Sequence, residues 1–295
     1  STIVFFCIPA YGHTNPTLGV VRELAARGHK VVYYSYDTMR KPIEAAGAAF
    51  GSCNAYDAEQ RLSPKDGERL GRDLAFSTQV LVDTTLALDN AILSDMRALA
   101  PDCIVADSMA LWGKLIAKKL DIPFVSSTTT FAFNRYSAKI MKQSPAQLFG
   151  MLVSMPKIGR KIKRLQVAGY PVKSVLDIIQ NDENLDTIVY TSPEFQPCAD
   201  TFPAAHYAFV GPSIRPAEMR MEKSAQPLVY ISLGTVVNDQ LAFYQQCVAA
   251  LADGPCRVIL SIGEQVKPAA LGTLPGNVEV HAHVDQIAVL QIADV

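Results

Sequence analysis

The chain has 295 residues, 49% hydrophobic and 19% charged, enough apolar material for one large core or two of ordinary size. Lys plus Arg number 27 and Asp plus Glu 28, so no charge excess directs the protein to nucleic acid or to an anionic membrane surface. No run approaches the ~20 apolar residues that span a bilayer.

The first apolar run, Ile3 to Ile8, reads as a buried strand stopped by Pro9; it is too short for a signal-peptide core and has no basic leader. A loop, Pro9–Pro16, is expected next, then a helix ending near Arg27 with Gly28 as its stop. Val31–Tyr34 is the next strand. Met39–Ala46 is a helix entered from Asp37 or Thr38 and stopped by Gly47. Between a third strand and Cys103 lies a long helical tract, about Arg72 to Leu99. Cys103–Ala106 and Pro123–Ser126 read as strands bracketing the helix Trp112–Leu120. A second helical region runs from Ser137 to Ile179, interrupted at Pro145, Pro156 and Pro171. Thr187–Thr191 and Tyr207–Val210 complete the first set of strands.

The texture then changes. Gly211–Pro227 is rich in proline and charge and has no apolar period, so it reads as a linker. Beyond it the rhythm restarts, with strands Leu228–Ser232, Arg257–Ser261 and Val278–His281 and helices Gln240–Ala252 and Gln286–Ile292. Near-continuous apolar strands alternating with helices predict an α/β protein with parallel sheets covered on both faces. The expected domains are 1–212, a linker 213–226, and 227–295, the last shorter than the ~100–200 residues of an ordinary domain and so expected to be incomplete. The six cysteines (Cys7, Cys53, Cys103, Cys198, Cys247, Cys256) form no C-x-x-C pair and read as reduced thiols of a soluble, cytoplasmic protein.

Four constellations bear on chemistry. His13 follows the first strand in Gly12-His13-Thr14-Asn15-Pro16, where open α/β sheets bind ligands beyond the carboxyl ends of their strands. A histidine there serves either as a general base near neutral pH or as a loop hydrogen-bonding residue. Asp107 ends the strand that begins at Cys103. It is either a helix N-cap for Ser108–Leu120 or the carboxylate that fixes the tautomer of His13 and stabilises its imidazolium. Ser232-Leu233-Gly234-Thr235 is a small turn whose amides and hydroxyl suit a phosphate, or an ordinary β–α turn. No G-x-G-x-x-G follows a strand, which argues against a dinucleotide oxidoreductase. His281 and His283 have no third ligand cluster in the sequence, so metal binding is not expected, and Val284 and Gln286 are placed instead against a flat base by edge contacts. Of the aromatics in the helical regions most are core. Phe131 and Phe133, just past a strand, are the stronger candidates for an apolar acceptor pocket, with Phe76 beside them.

In order and spacing these pieces resemble the GT-B family 1 glycosyltransferases, especially the bacterial macrolide and flavonoid enzymes that use UDP-sugars. Ile3-Val4-Phe5-Phe6-Cys7-Ile8-Pro9 through Pro16 is similar to that family's opening strand and catalytic loop, Pro101-Asp102 to Asp107 to its dyad strand, and Ile122 to Ser127 to the strand leading to its acceptor loop. Tyr230 to Thr235 resembles the start of its donor domain, and His283-Val284-Asp285-Gln286 the segment that reads uracil and ribose, with Asp285 where many members have proline. The resemblance implies two Rossmann-like domains and a catalytic pair His13 and Asp107. It implies donor contacts from Thr14, Asn15, Gly234, Thr235, Val284 and Gln286, and acceptor contacts from Phe76, Ser126, Ser127, Phe131 and Phe133. It implies an inverting transfer from a UDP-sugar to a hydroxyl of a small apolar acceptor, with no metal and no cofactor. The family's later His-Gly-Gly-type turn, ribose-binding acid and acidic-Gln pair have no counterpart in the 295 residues. The alternatives are an acceptor-binding half without activity, a split enzyme completed by a complementary C-terminal fragment, and a sugar-nucleotide epimerase.

Overall fold

A computed structural model describes residues 1–8, 10–53, 73–137, 145–173, 184–214, 217, 219–234 and 238–295. The chain divides into two compact units, Ser1–Ser213 and Ile214–Val295.

The first unit is built on a seven-stranded sheet. Its strands are β1 (Thr2–Phe6), β2 (Lys30–Ser35), β3 (Ala49–Ser52), β4 (Cys103–Asp107), β5 (Phe124–Thr128), β6 (Thr187–Val189) and β7 (Tyr207–Phe209), in the order β3-β2-β1-β4-β5-β6-β7. Each adjacent pair is parallel. The strand period of two sorts the apolar residues onto two faces. Val4, Phe6, Val32, Tyr34, Ile104 and Ala106 share one core with α3 (Leu74–Leu99), α4 (Leu111–Leu120) and α5 (Pro145–Val167). Phe5, Cys7, Val31, Tyr33 and Val105 face the opposite core, shared with α1 (Tyr11–Ala26) and α2 (Arg40–Ala45). Gly113 lets α4 sit close to the sheet: a Cβ there would lie 2.5 Å from the Cβ of Ala106.

Three element boundaries depart from the sequence reading. The helix expected after Pro16 begins at Tyr11, with Pro16 inside it. A helix-interior proline costs about 3 kcal/mol; burying Leu18 and Val21, each worth about 1.5–3 kcal/mol, offsets that. Gly28 stops this helix as expected, at φ +81°, and the amide of His29 bonds back to the Leu24 carbonyl. Pro145 opens α5 rather than interrupting a helix, and Pro156 lies within α5 without ending it. The edge strand β3 falls at Ala49–Ser52, four small or mixed residues with no apolar run to mark them.

In the second unit β8 (Leu228–Ser232), β9 (Arg257–Ser261) and β10 (Val278–His281) pair in parallel in the order β10-β9-β8, with α6 (Leu241–Leu251) and α7 (Gln286–Leu290). Tyr244, Val248, Val258, Leu260, Ile262 and Val278 form its main core. The amide of Asp294 and the carbonyl of Val295 bond to the backbone of Leu228 and Tyr230 along β8. Two residues of the stretch read as a linker bond to this unit: the Met219 amide donates to Asp285, and the Lys223 ammonium reaches Asp294 at 2.6 Å. The unit boundary accordingly falls at Ile214.

Candidate active site

Strand parity brings the first site together. On β4, Val105 faces the α1 side of the sheet, so Asp107, two residues on, points the same way. His13 lies in the first turn of α1, which follows β1, and β1 is the direct neighbour of β4. The imidazole Nδ1 lies 2.8 Å from Asp107 Oδ2. The His13 side chain is 20% exposed and that of Asp107 is 0% exposed, so the carboxylate is enclosed while the ring keeps one edge open. Asp107 Oδ1 accepts the Met109 amide at 2.7 Å, and the Asp107 carbonyl accepts the Ala110 amide. Of the two roles weighed from the sequence the aspartate fills the second: one oxygen holds the imidazole, while the other shapes the turn into α4. It is not the N-cap of α4, which begins one turn later from Ala110 without a side-chain cap. His13, for its part, is a helix residue and not a loop residue.

An ionised carboxylate only accepts hydrogen bonds, so it fixes the hydrogen on Nδ1 and leaves the lone pair on Nε2. Burial pushes the Cys7 thiol and the Tyr33 phenol well above their ordinary values, and pushes Tyr190 up to about 12, so all three are neutral near pH 7. The sequence reading missed one further neighbour: Thr129, just past β5, lies with Oγ1 2.9 Å from His13 Nδ1. Its place follows from the strand pairing, in which Asp107 is in register with Ser127 and Thr129 has the same parity.

The other expected contacts divide. Thr14, placed on the donor, is fully buried, and its hydroxyl is turned to Cys7 Sγ. Ser126 and Ser127, placed on the acceptor, are each 1% exposed, and Ser127 donates to the Tyr190 hydroxyl. In this structure these three small side chains are packed inside, at a strand end or on the sheet side of α1. Asn15 is exposed, Phe76 and Phe131 are half-buried, and Phe133 is exposed. Phe131 packs against the exposed ring of Phe195 with centroids 5.4 Å apart.

In the second unit the expected donor residues lie at the carboxyl ends of its strands. Gly234 takes φ +78° after β8; its amide donates to Ser232 Oγ and its carbonyl accepts from Asn238. Thr235 lies outside the described residues. Val284 is half-buried against the small core of Leu228, Ile259 and Val289, whereas Gln286 opens α7 and is exposed. Asp285 caps α7 by accepting the Ala288 amide, a physical reason for aspartate at that position. His281 and His283 face separate carboxylates, Glu279 and Glu264, and no group of three potential metal ligands is gathered among the described residues.

No family model matches the chain. Known proteins do. A UDP-glucosyltransferase of Bacillus subtilis is 29% identical over 99% of this chain and 73% of its own length. The demethyllactenocin mycarosyltransferase of Streptomyces fradiae is 31% identical over 94% of this chain and 62% of its own length. The solved glycosyltransferase of kitacinnamycin superposes with a TM-score of 0.78 at 27% identity, over 99% of this chain and 73% of its own. The chain is a glycosyltransferase of the GT-B fold. A second solved structure, the calicheamicin glycosyltransferase CalG4, superposes with a TM-score of 0.72 at 29% identity. Among its described residues this glycosyltransferase has no helix long and apolar enough to cross a membrane.

Proposed function

We propose that this glycosyltransferase moves a sugar from a UDP-sugar to a hydroxyl of a small apolar acceptor, with inversion at the anomeric carbon and His13 as the base. The observation that carries the reading is the 2.8 Å bond between His13 Nδ1 and the enclosed carboxylate of Asp107. Nε2 removes the proton from the acceptor hydroxyl, and Asp107 stabilises the imidazolium that forms. The acceptor oxygen bonds to the anomeric carbon from the face opposite the nucleotide. The bond from that carbon to the diphosphate oxygen breaks, and the diphosphate leaves with the electron pair. Backbone amides near Gly234, with Thr235, receive its charge, so the step calls for no metal and no cofactor.

The donor assignment is supported by relatives whose names specify UDP- or NDP-sugar transfer. The apolar acceptor is supported by relatives named for oleandomycin and demethyllactenocin, and by the Phe131–Phe195 pair and exposed Phe133 that follow the end of β5. Six free thiols fit a reducing compartment, and we place the reaction in the cytoplasm. Replacing His13 with Ala tests the base: turnover is expected to fall at least about a hundredfold with nucleotide affinity within about twofold of wild type. Wild-type kinetics in that variant would dismiss the assignment.

A further inference from the structure

We propose that Thr129 is a positioning residue for His13, holding the imidazole from the end of β5 as Asp107 holds it from the end of β4. The inference rests on the reading of His13 as the base. Thr129 is the first residue beyond β5, and Val125, Ser127 and Thr129 alternate onto the face of the sheet that carries α1. Its Oγ1 reaches Nδ1 at 2.9 Å, beside Asp107 Oδ2 at 2.8 Å.

Nδ1 carries one hydrogen for two oxygens. Asp107 takes the larger share, because the bond to an ionised acceptor is the stronger one. The Thr129 oxygen is then the second acceptor of a three-centre bond, and its own hydrogen points elsewhere. A single bond to Asp107 leaves the ring free to swing about the line from Nδ1 to Oδ2, and the ring torsion of histidine is intrinsically broad. A second oxygen from a different strand fixes the ring plane, and with it the direction of the Nε2 lone pair. That direction matters, since a reacting group displaced by about 1 Å loses about a hundredfold in rate. The other polar groups close by, Cys7, Tyr33 and Tyr190, are kept neutral by burial, and none of them bonds the ring.

Thr129→Val removes the oxygen and keeps the branched shape; Thr129→Ser keeps the oxygen. In the wild-type chain the His13 Nδ1–H is expected as a slowly exchanging imidazole resonance. In Thr129→Val its exchange is expected to quicken about three- to tenfold, and kcat to fall by a similar factor with KM within about twofold. Thr129→Ser is expected to restore both. Wild-type exchange and kcat in Thr129→Val, or failure of Thr129→Ser to restore them in a chain with an unchanged circular dichroism spectrum, would overturn the proposal. His13→Ala separates the two claims. Full turnover in His13→Ala sinks the base reading and this one with it. A dead His13→Ala beside a wild-type-like Thr129→Val sinks the Thr129 assignment alone.

Discussion

Asp107→Asn is the sharpest perturbation of the site, because asparagine keeps the shape and removes only the charge and one acceptor. The side chain is enclosed, with Met109 N–H at 2.7 Å on one oxygen and His13 Nδ1 at 2.8 Å on the other. An amide has one acceptor oxygen and one NH2. With the oxygen kept on the Met109 amide, the NH2 faces Nδ1, which must then accept; the ring hydrogen moves to Nε2 and the base is blocked. With the amide reversed, two N–H groups confront each other at Met109 in an enclosed site, at about 1–3 kcal/mol. The imidazolium also loses a charge-assisted bond worth about 1.5–3 kcal/mol. The same exchange in serine hydrolases lowers kcat by about ten-thousandfold through the wrong tautomer. We therefore expect kcat to fall about a hundred- to ten-thousandfold, or about 2.7–5.4 kcal/mol at 1.36 kcal/mol per decade, with KM little changed. The assay is initial-rate sugar transfer to a phenolic acceptor. A variant retaining more than a tenth of wild-type kcat would refute the argument that Asp107 sets the tautomer.

Two further expectations concern the scaffold. Gly113→Ala puts a methyl 2.5 Å from the Ala106 Cβ, which strand backbone holds in place, so α4 and the sheet must part. Overpacking of this kind costs about 1–3 kcal/mol, against a gain of at most about 1 kcal/mol in helix propensity, and thermal unfolding is expected at lower temperature; an unchanged or higher midpoint would contradict the close approach. In the second unit the hydrogen bond from Arg257, 2.9 Å from Glu279, holds that carboxyl below its ordinary value. Its contribution is present above the unfolded carboxylate value and is lost as pH falls through the lowered folded one. Both side chains are part-exposed, at 31% and 48%, so Arg257→Ala is expected to cost under about 1 kcal/mol at pH 7 and progressively less as the pH falls below the ordinary carboxylate range in urea unfolding; a loss independent of pH would contradict the ion pair.

The sheet was legible because buried parallel strands are short apolar runs, and Ile3–Ile8, Cys103–Ala106 and Arg257–Ser261 each lie on a strand or within a residue or two of one. The strand β3 was not placed, since an edge strand of Ala49, Phe50, Gly51 and Ser52 has no apolar run to show. His13 was found from its position after β1, yet the helix start was set too late. Pro16 reads as a first-turn proline, whereas tertiary burial of Leu18 and Val21 carries the helix through it. Thr14, Ser126 and Ser127, placed on ligand by the family resemblance, have buried side chains, which motif order and spacing alone do not foretell. Thr129 was hidden in the run Ser126-Ser127-Thr128-Thr129-Thr130, where only the register with Asp107 tells one hydroxyl from the next.

The chemical step of His13→Ala, followed by rapid quench with UDP-sugar and acceptor both saturating, probes the base most directly. Loss of at least about a hundredfold in the transfer rate, with the nucleotide still bound as tightly, is the outcome expected of a base at Nε2. A rate within about threefold of wild type would mean that the proton leaves the acceptor by another route.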